Sequence, residues 1–256
     1  MDFTGQTAVV TGASRGIGRA VAFYFWEKGA NVVLAVRSPQ GLKLPKVLKN
    51  SPRVLVVKTN VLATMDLEKM VKKSLNRFGK IDILVNNAGV DQPRSLLEVT
   101  EKHIDYVMNT NFKSVVFCSK LVAKEMIKQK KGIIINLSSI AGKEGSLNHL
   151  AYVSSKHAVI GLTKCLAREL IGYNIRVNCV CPGLIDTDML RNFFKEYSRQ
   201  VHSTPRKEIH KMLAQTPTGR MGQPEDVAKL IGFLASDESR NITGQAINTD
   251  GGMQQH

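Results

Sequence analysis

The sequence predicts one α/β domain spanning residues 1–256, a doubly wound parallel sheet of about seven strands with helices on both faces. Three observations lead there. Short apolar, β-branched runs alternate with longer helical patterns along the whole chain. The runs read apolar throughout instead of alternating with polar residues, as strands buried on both faces do. A glycine-rich turn joins the first run to the first helical pattern, the usual opening of a βαβ unit.

In order, the first run is Thr7–Val10, followed after the turn by a helical pattern over Ile17–Lys28. Asn31–Val36 is the second strand. Pro39 to Pro52 is looser and reads as one helix with turns. Val54–Val57 and Ile81–Val85 are the next strands, with a helix over Met65–Phe78 between them. Leu121–Lys128 is helical and leads into the strand Ile133–Leu137. The long pattern Tyr152–Leu170 precedes Ile175–Val180, and Pro224–Ala235 precedes the last strand, Gln245–Asn248. One segment breaks the rhythm. Residues 188–218 carry many charges, two prolines and few apolar residues at regular spacing. A long connection beside a ligand crevice is often a substrate lid, and we expect one here; a pair of surface helices is the alternative. No repeat, second domain or low-complexity tract is visible.

Composition narrows the function. The chain is 43% hydrophobic and 22% charged, as expected of a globular protein. No run approaches the ~18 apolar residues of a membrane span, so no membrane partner is expected. The first residues lack a basic region followed by an apolar stretch, so we expect a cytoplasmic protein without a secretory signal. Cys118, Cys165, Cys179 and Cys181 form no Cys-x-x-Cys pair, and no histidine cluster accompanies them. They read as buried small hydrophobes in a reducing compartment, and no metal site is expected. The net charge is +15, but its lysines and arginines are scattered, and no nucleic-acid-binding motif accompanies them. Phosphorylated ligands or acidic partners are the better match.

The turn itself reads Thr11-Gly12-Ala13-Ser14-Arg15-Gly16-Ile17-Gly18. Glycines permit a tight turn and close backbone approach, and the following helix aims its positive N-terminus at an anion. Gly12, Ser14, Arg15, Gly16, Ile17 and Gly18 are therefore candidate contacts for a dinucleotide pyrophosphate. About 20 residues further on, NAD-binding proteins place an acid against the ribose. Here Val36 and Arg37 stand at the end of the second strand. A guanidinium can grip a 2′-phosphate bidentately, and Arg15 can join it. NADP is preferred on this reading, with NAD possible. Tyr152 and Lys156 lie four residues apart, on one face of a helix.

Thr11 to Gly18, Asn86-Asn87-Ala88-Gly89, Asn111, Ser139, Tyr152, Lys156 and Pro182-Gly183 together resemble the short-chain dehydrogenase/reductase family, in that family's order and over essentially the whole chain. The Gly-x-x-x-Gly-x-Gly spacing is the one this family uses. The resemblance implies a Rossmann-type domain and hydride transfer between a nicotinamide and a carbonyl or secondary alcohol. Tyr152 is then the general acid in reduction and the base in oxidation. Its free value, near 10, is high for that task, and the positive charge of Lys156 is expected to lower it. Ser139, thirteen residues before the tyrosine, would hold the substrate oxygen, with adjacent Ser138 the alternative. Asn111 would hold a water that links Lys156 to solvent, with Asn109 the alternative. Asn87, Ala88 and Gly89 would let the cofactor approach the sheet. Asn60 and Val61 would meet the adenine, although the family usually has an acid where Asn60 stands. Ile185 and Thr187, beyond Pro182 and Gly183, would hold the nicotinamide carboxamide.

The substrate is less legible. The chain is similar to 3-oxoacyl-carrier-protein reductases within the family, whereas the long 188–218 segment is closer to sugar, polyol and acetoin-type dehydrogenases. Residues 143–150 look open and polar, with His149 near the tyrosine. A small-molecule or acyl-carrier-bound carbonyl is the expected partner. A cofactor-binding sensor or scaffold is the non-enzymatic alternative, and loss of the tyrosine or lysine would mark it. The resemblance also implies a homotetramer, with 111–128 and 152–170 pairing across one interface and 247–253 across another; a dimer is the alternative.

Overall fold

Seven parallel strands run in the order β3-β2-β1-β4-β5-β6-β7. They are β1 (Thr7–Thr11), β2 (Asn31–Val36), β3 (Val54–Lys58), β4 (Ile83–Asn86), β5 (Gly132–Leu137), β6 (Ile175–Pro182) and β7 (Ala246–Thr249). The structure, a computed structural model, describes residues 1–40, 42 and 44–255. Gly41 and Lys43 of the Pro39–Pro52 stretch, and His256, lie outside the described residues; the stretch includes one short helix, α2 (Lys46–Lys49).

Alternation along each strand divides the core. Ala8, Val10, Leu34, Ile83 and Val85 point to one face. There they meet Val21 and Phe25 of α1 (Gly16–Glu27), together with Val227 and Ile231 of α9 (Pro224–Ala235). Val9, Val33, Leu84 and Ile134 point to the other. They pack on Leu67 and Met70 of α3 (Thr64–Phe78) and on Val122 and Met126 of α5 (Ser114–Gln129). Both faces are covered, which is why the strand sequences look apolar without a period.

Two helical predictions need correction. The helix expected over Leu121–Lys128 begins at Ser114, and before it come α4 (Glu101–Met108) and a π-helical turn, Asn109–Lys113. The sequence hides this length because Thr110, Asn111, Ser114 and Ser119 are all buried. Polar residues occupy the inward face, so the apolar period fails where the helix is most enclosed. The second correction concerns residues 188–218, which form α7 (Asp188–Gln200) and α8 (Pro205–Ala214). In α7, Leu190, Phe193, Phe194 and Tyr197 fall on one stripe at helical spacing, and Phe194 is fully buried. The stripe was present in the sequence, obscured by the charges between its members. The remaining helix, α6 (Leu150–Leu170), carries the tyrosine and lysine.

Three of the four cysteines are buried as expected, but Cys165 is exposed on α6. No helix among the described residues is long and apolar enough to cross a membrane.

Candidate active site

A cleft of about 440 Å³ opens at the C-terminal ends of the strands. Strand order reverses between β1 and β4, and such a reversal leaves a crevice there. Every residue predicted for the site lines this cleft except Asn111.

The floor is built from the glycine turn and the end of β4. Gly12 has φ +67°, and a Cβ there would lie 2.9 Å from Ala88 Cα. A Cβ on Gly18 would run into Asn87 Nδ2 and the Gly12 carbonyl oxygen. These two positions need glycine because two backbone segments touch. Asn87 Nδ2 donates to the Thr11 and Gly12 carbonyls at 2.9 and 3.2 Å. Thr11 Oγ1 accepts the N–H groups of Asn87 and Ala88 at 3.0 and 3.1 Å. Thr11, not among the site residues expected from the sequence, thus braces the floor; a hydroxyl at the end of an otherwise apolar strand was its signal. Gly16 opens α1, whose first turn holds no acidic residue, so the helix N-terminus is free to face an anion. Ser14 and Ile17 line the cleft beside it.

At one end of the cleft, Arg37 is exposed just past buried Val36. Arg15 is also exposed, and its Nη1 lies 3.7 Å from Asp188 Oδ2 at the start of α7. Asn60 Oδ1 accepts the Leu62 N–H at 3.2 Å, so its carbonyl already caps a turn beside Val61. At the far side of the floor, Gly183 donates its N–H to the Thr249 carbonyl at 3.1 Å, which fixes Pro182 and Gly183 against β7. Ile185 bridges to Gly222, and Thr187 caps α7 by accepting the Leu190 N–H at 3.3 Å. The close backbone floor, the open helix end and the exposed guanidinium past β2 fit a phosphorylated dinucleotide.

Tyr152 and Lys156 share a face of α6, with Lys156 Nζ 5.5 Å from the tyrosine ring centre. Lys156 is buried, and its ammonium donates to the Leu137 carbonyl at 2.9 Å. Burial lowers its pKa to about 8. Sequence reasoning gives Tyr152 a downward pull from Lys156 together with an oxidised nicotinamide, and burial works against that pull. Burial pushes the Tyr152 phenol above its ordinary value and the charge of Asp91 pushes it further, while a hydrogen bond with Ser139 acts the other way. Desolvation is the largest of these effects, and it is the one a sequence shows least.

Ser138 Oγ donates to the Lys156 carbonyl at 2.9 Å. That hydroxyl holds α6 against β5, leaving Ser139 as the serine beside the tyrosine. Asn111 lies behind the wall in the π-helical turn, fully buried. Its Oδ1 accepts the Val90 N–H at 2.8 Å, and its Nδ2 donates to the Val90 carbonyl at 2.9 Å and to Ser155 Oγ at 3.0 Å. The side chain thus braces the loop after β4 against α6. Further out, Met189, Leu190 and Phe193 of α7 and Met212 of α8 form the outer wall. Asp91 and His149 face each other in the same wall, with His149 Nε2 3.3 Å from Asp91 Oδ1. Asp91 was missed; a carboxylate two residues past a glycine that closes a strand end was its signal.

A family model described as enoyl-(acyl carrier protein) reductase matches residues 12–254. The chain belongs to the short-chain dehydrogenase/reductase family. Its relatives in that family include the 3-oxoacyl-[acyl-carrier-protein] reductase of Thermotoga maritima, 40% identical over 255 residues, with 99% of each chain covered. The enzyme of the same name from Staphylococcus aureus is 38% identical over 251 residues, covering 97% of this chain and 98% of the relative. Among solved structures, the crystal structure of levodione reductase matches with a TM-score of 0.92 and 32% identity, covering 98% of both chains. The chain is accordingly a short-chain dehydrogenase/reductase enzyme whose reaction class is NAD(P)-dependent carbonyl reduction.

Proposed function

We propose that this reductase prefers NADPH and reduces 3-oxoacyl groups presented on an acyl-carrier protein. The observation that carries the reading is that Ser139, Tyr152 and Lys156 open onto the same cleft as the glycine turn. Gly12, Ser14, Arg15, Gly16, Ile17 and Gly18 would hold the pyrophosphate. Arg37 would meet the 2′-phosphate, and Asn60 and Val61 the adenine. Asn87, Ala88 and Gly89 would flank the nicotinamide half, with Pro182, Gly183, Ile185 and Thr187 beneath its carboxamide. When bound, the nicotinamide supplies the hydride. Ser139 orients the substrate oxygen, Tyr152 delivers a proton to it, and Lys156 returns positive charge to the tyrosine and holds the ribose hydroxyls. Asn111 keeps the Val90 loop and α6 in register for this.

The two reductases named for 3-oxoacyl carriers support the substrate class, and the net charge of +15 suits an acidic carrier. Sugars, polyols or small ketones of the acetoin type are the second reading. The likeness to levodione reductase and the polar Asp91–His149 wall favour it. Helices α7 and α8 serve as the lid. β7 is an edge strand whose four residues stay half-exposed, which supports a further subunit against it and the homotetramer. A cytoplasmic setting suits NADPH and unpaired cysteines.

The test is NADPH oxidation against acetoacetyl thioesters, acetoin, diacetyl and sugar ketones, repeated with Tyr152→Phe. Turnover is expected with the thioester above the others. The variant should lose about 10²-fold or more in kcat while binding NADPH as before. Unchanged turnover in Tyr152→Phe would remove the tyrosine from the mechanism.

A further inference from the structure

We propose that Asp91 and His149 act as one charge-balanced pair beside Tyr152 and set how tightly that tyrosine holds its proton. They would then be positioning residues whose opposite charges act on the tyrosine proton in opposite directions. The inference rests on the reading of Tyr152 as the proton carrier.

Asp91 follows β4, and His149 immediately precedes α6. Their side chains are 11% and 6% exposed, so the pair lies in a site of low effective dielectric. His149 Nδ1 lies 3.1 Å from the Leu147 carbonyl, which can only accept, and 3.3 Å from Ser146 Oγ, which can do either; we take Nδ1 as the donor to the carbonyl. Nε2 then faces the Asp91 carboxylate at 3.3 Å. A hydrogen on Nε2 would meet that carboxylate, and with Nδ1 also a donor the ring would carry the positive charge of the proposed pair. The contact is close enough for an ion pair, yet Asp91 Oδ1 is buried without an aligned hydrogen bond. Its charge is therefore balanced by His149 and little dispersed otherwise. The His149 ring centre lies 6.0 Å from that of Tyr152, and Asp91 raises the proton affinity of both Tyr152 and Lys156.

The other groups acting on Tyr152 are Lys156 on its own helix, Ser139 beyond β5 and Cys181 on β6. Among these, Asp91 and His149 form a pair of opposite charges that can be removed one at a time. Taking away the carboxylate should ease loss of the tyrosine proton. Taking away the imidazolium leaves the carboxylate uncompensated and should make that loss harder. A protonated phenol is the form needed to reduce a ketone, and a phenolate is the form needed to oxidise an alcohol.

The experiment measures kcat against pH in both directions, using an acetoacetyl thioester with NADPH and a 3-hydroxybutyryl thioester with NADP⁺. A parallel ultraviolet titration of phenolate in the NADP⁺ complex, with Tyr152→Phe as the blank, needs no substrate. Asp91→Asn should move the tyrosine midpoint down by about one pH unit, and His149→Gln should move it up. Asp91→Glu should restore most of the original profile. Shifts in the same direction, or no shift in either variant, would overturn the pairing. Activity surviving in Tyr152→Phe would instead overturn the reading on which it rests.

Discussion

At the scale of single residues, charge and burial compete, and the outcome differs from group to group. Arg37 keeps its charge in water at the mouth of the cleft, where it can bind a phosphate at little desolvation cost. Hydrogen bonds to charged groups contribute roughly 1.5–3 kcal/mol, so Arg37→Asp should weaken NADPH binding tenfold or more. It should also narrow or reverse the preference over NADH, which fluorescence titration of both cofactors would read. Equal affinities in the unaltered protein would refute the assignment. Lys156 is the opposite case. Its pKa falls from 10.5 to about 8 because the folded protein buries it. Between those values the unfolded chain holds more protons on this lysine than the native one, so stability gains from this residue as pH rises through the interval. Lys156→Met lacks that gain. Its stability relative to the parent should be highest near pH 7 and decline toward pH 10, as read by paired denaturant titrations. The residue types and spacing of the site were legible in the sequence because they are local. The upward displacement of Tyr152 was not, because it depends first on burial and then on Asp91, a residue 61 positions away in the chain.

At the scale of elements, the sheet was read well and the helices around the site less well. Strand runs are apolar on both faces, so their composition announces them. Helices α4 and α5 and the π-helical turn between them bury polar side chains toward the site, so their periodicity misleads. One consequence is a buried polar ladder. Asn86 Nδ2 donates to Ser119 Oγ at 3.0 Å and to Asn136 Oδ1 at 2.9 Å, and Asn136 Nδ2 donates to Thr163 Oγ1 at 2.9 Å. It ties β4 and β5 to α5 and α6, the helix that carries Tyr152. Asn136→Ala removes the middle rung and leaves buried partners unsatisfied. It should cost about 1–3 kcal/mol, measured by chemical denaturation, with a loss of kcat that NADPH saturation does not restore. The lid segment teaches the same lesson from outside. The apolar stripe of α7 faces the cleft and the core, while the charges that obscured it remain in solvent.

At the scale of the whole molecule, strand order decides where chemistry can occur. The alternating pattern of the sequence implied a parallel sheet and the glycine turn implied its opening. The crossover between β1 and β4 became explicit only in the fold. The proposed tetramer draws on the same architecture, since β7 stands at one edge of the sheet. Light scattering should give a particle of four chains of 28.2 kDa each, and an Ile247→Lys substitution on that edge should shift it toward smaller species. A monomer at micromolar concentration in the parent would exclude the tetramer.

The stitching of Thr11 and Gly12 to Asn87 and Ala88 has one more consequence. Because main-chain atoms, one short amide and one hydroxyl set this spacing, the slot's gauge is insulated from changes in its rim. On the proposed function, altering α7, α8 or the Asp91–His149 wall should change the substrates accepted while the slot keeps its dimensions. Divergence among such enzymes should therefore concentrate at the mouth and leave the seam untouched.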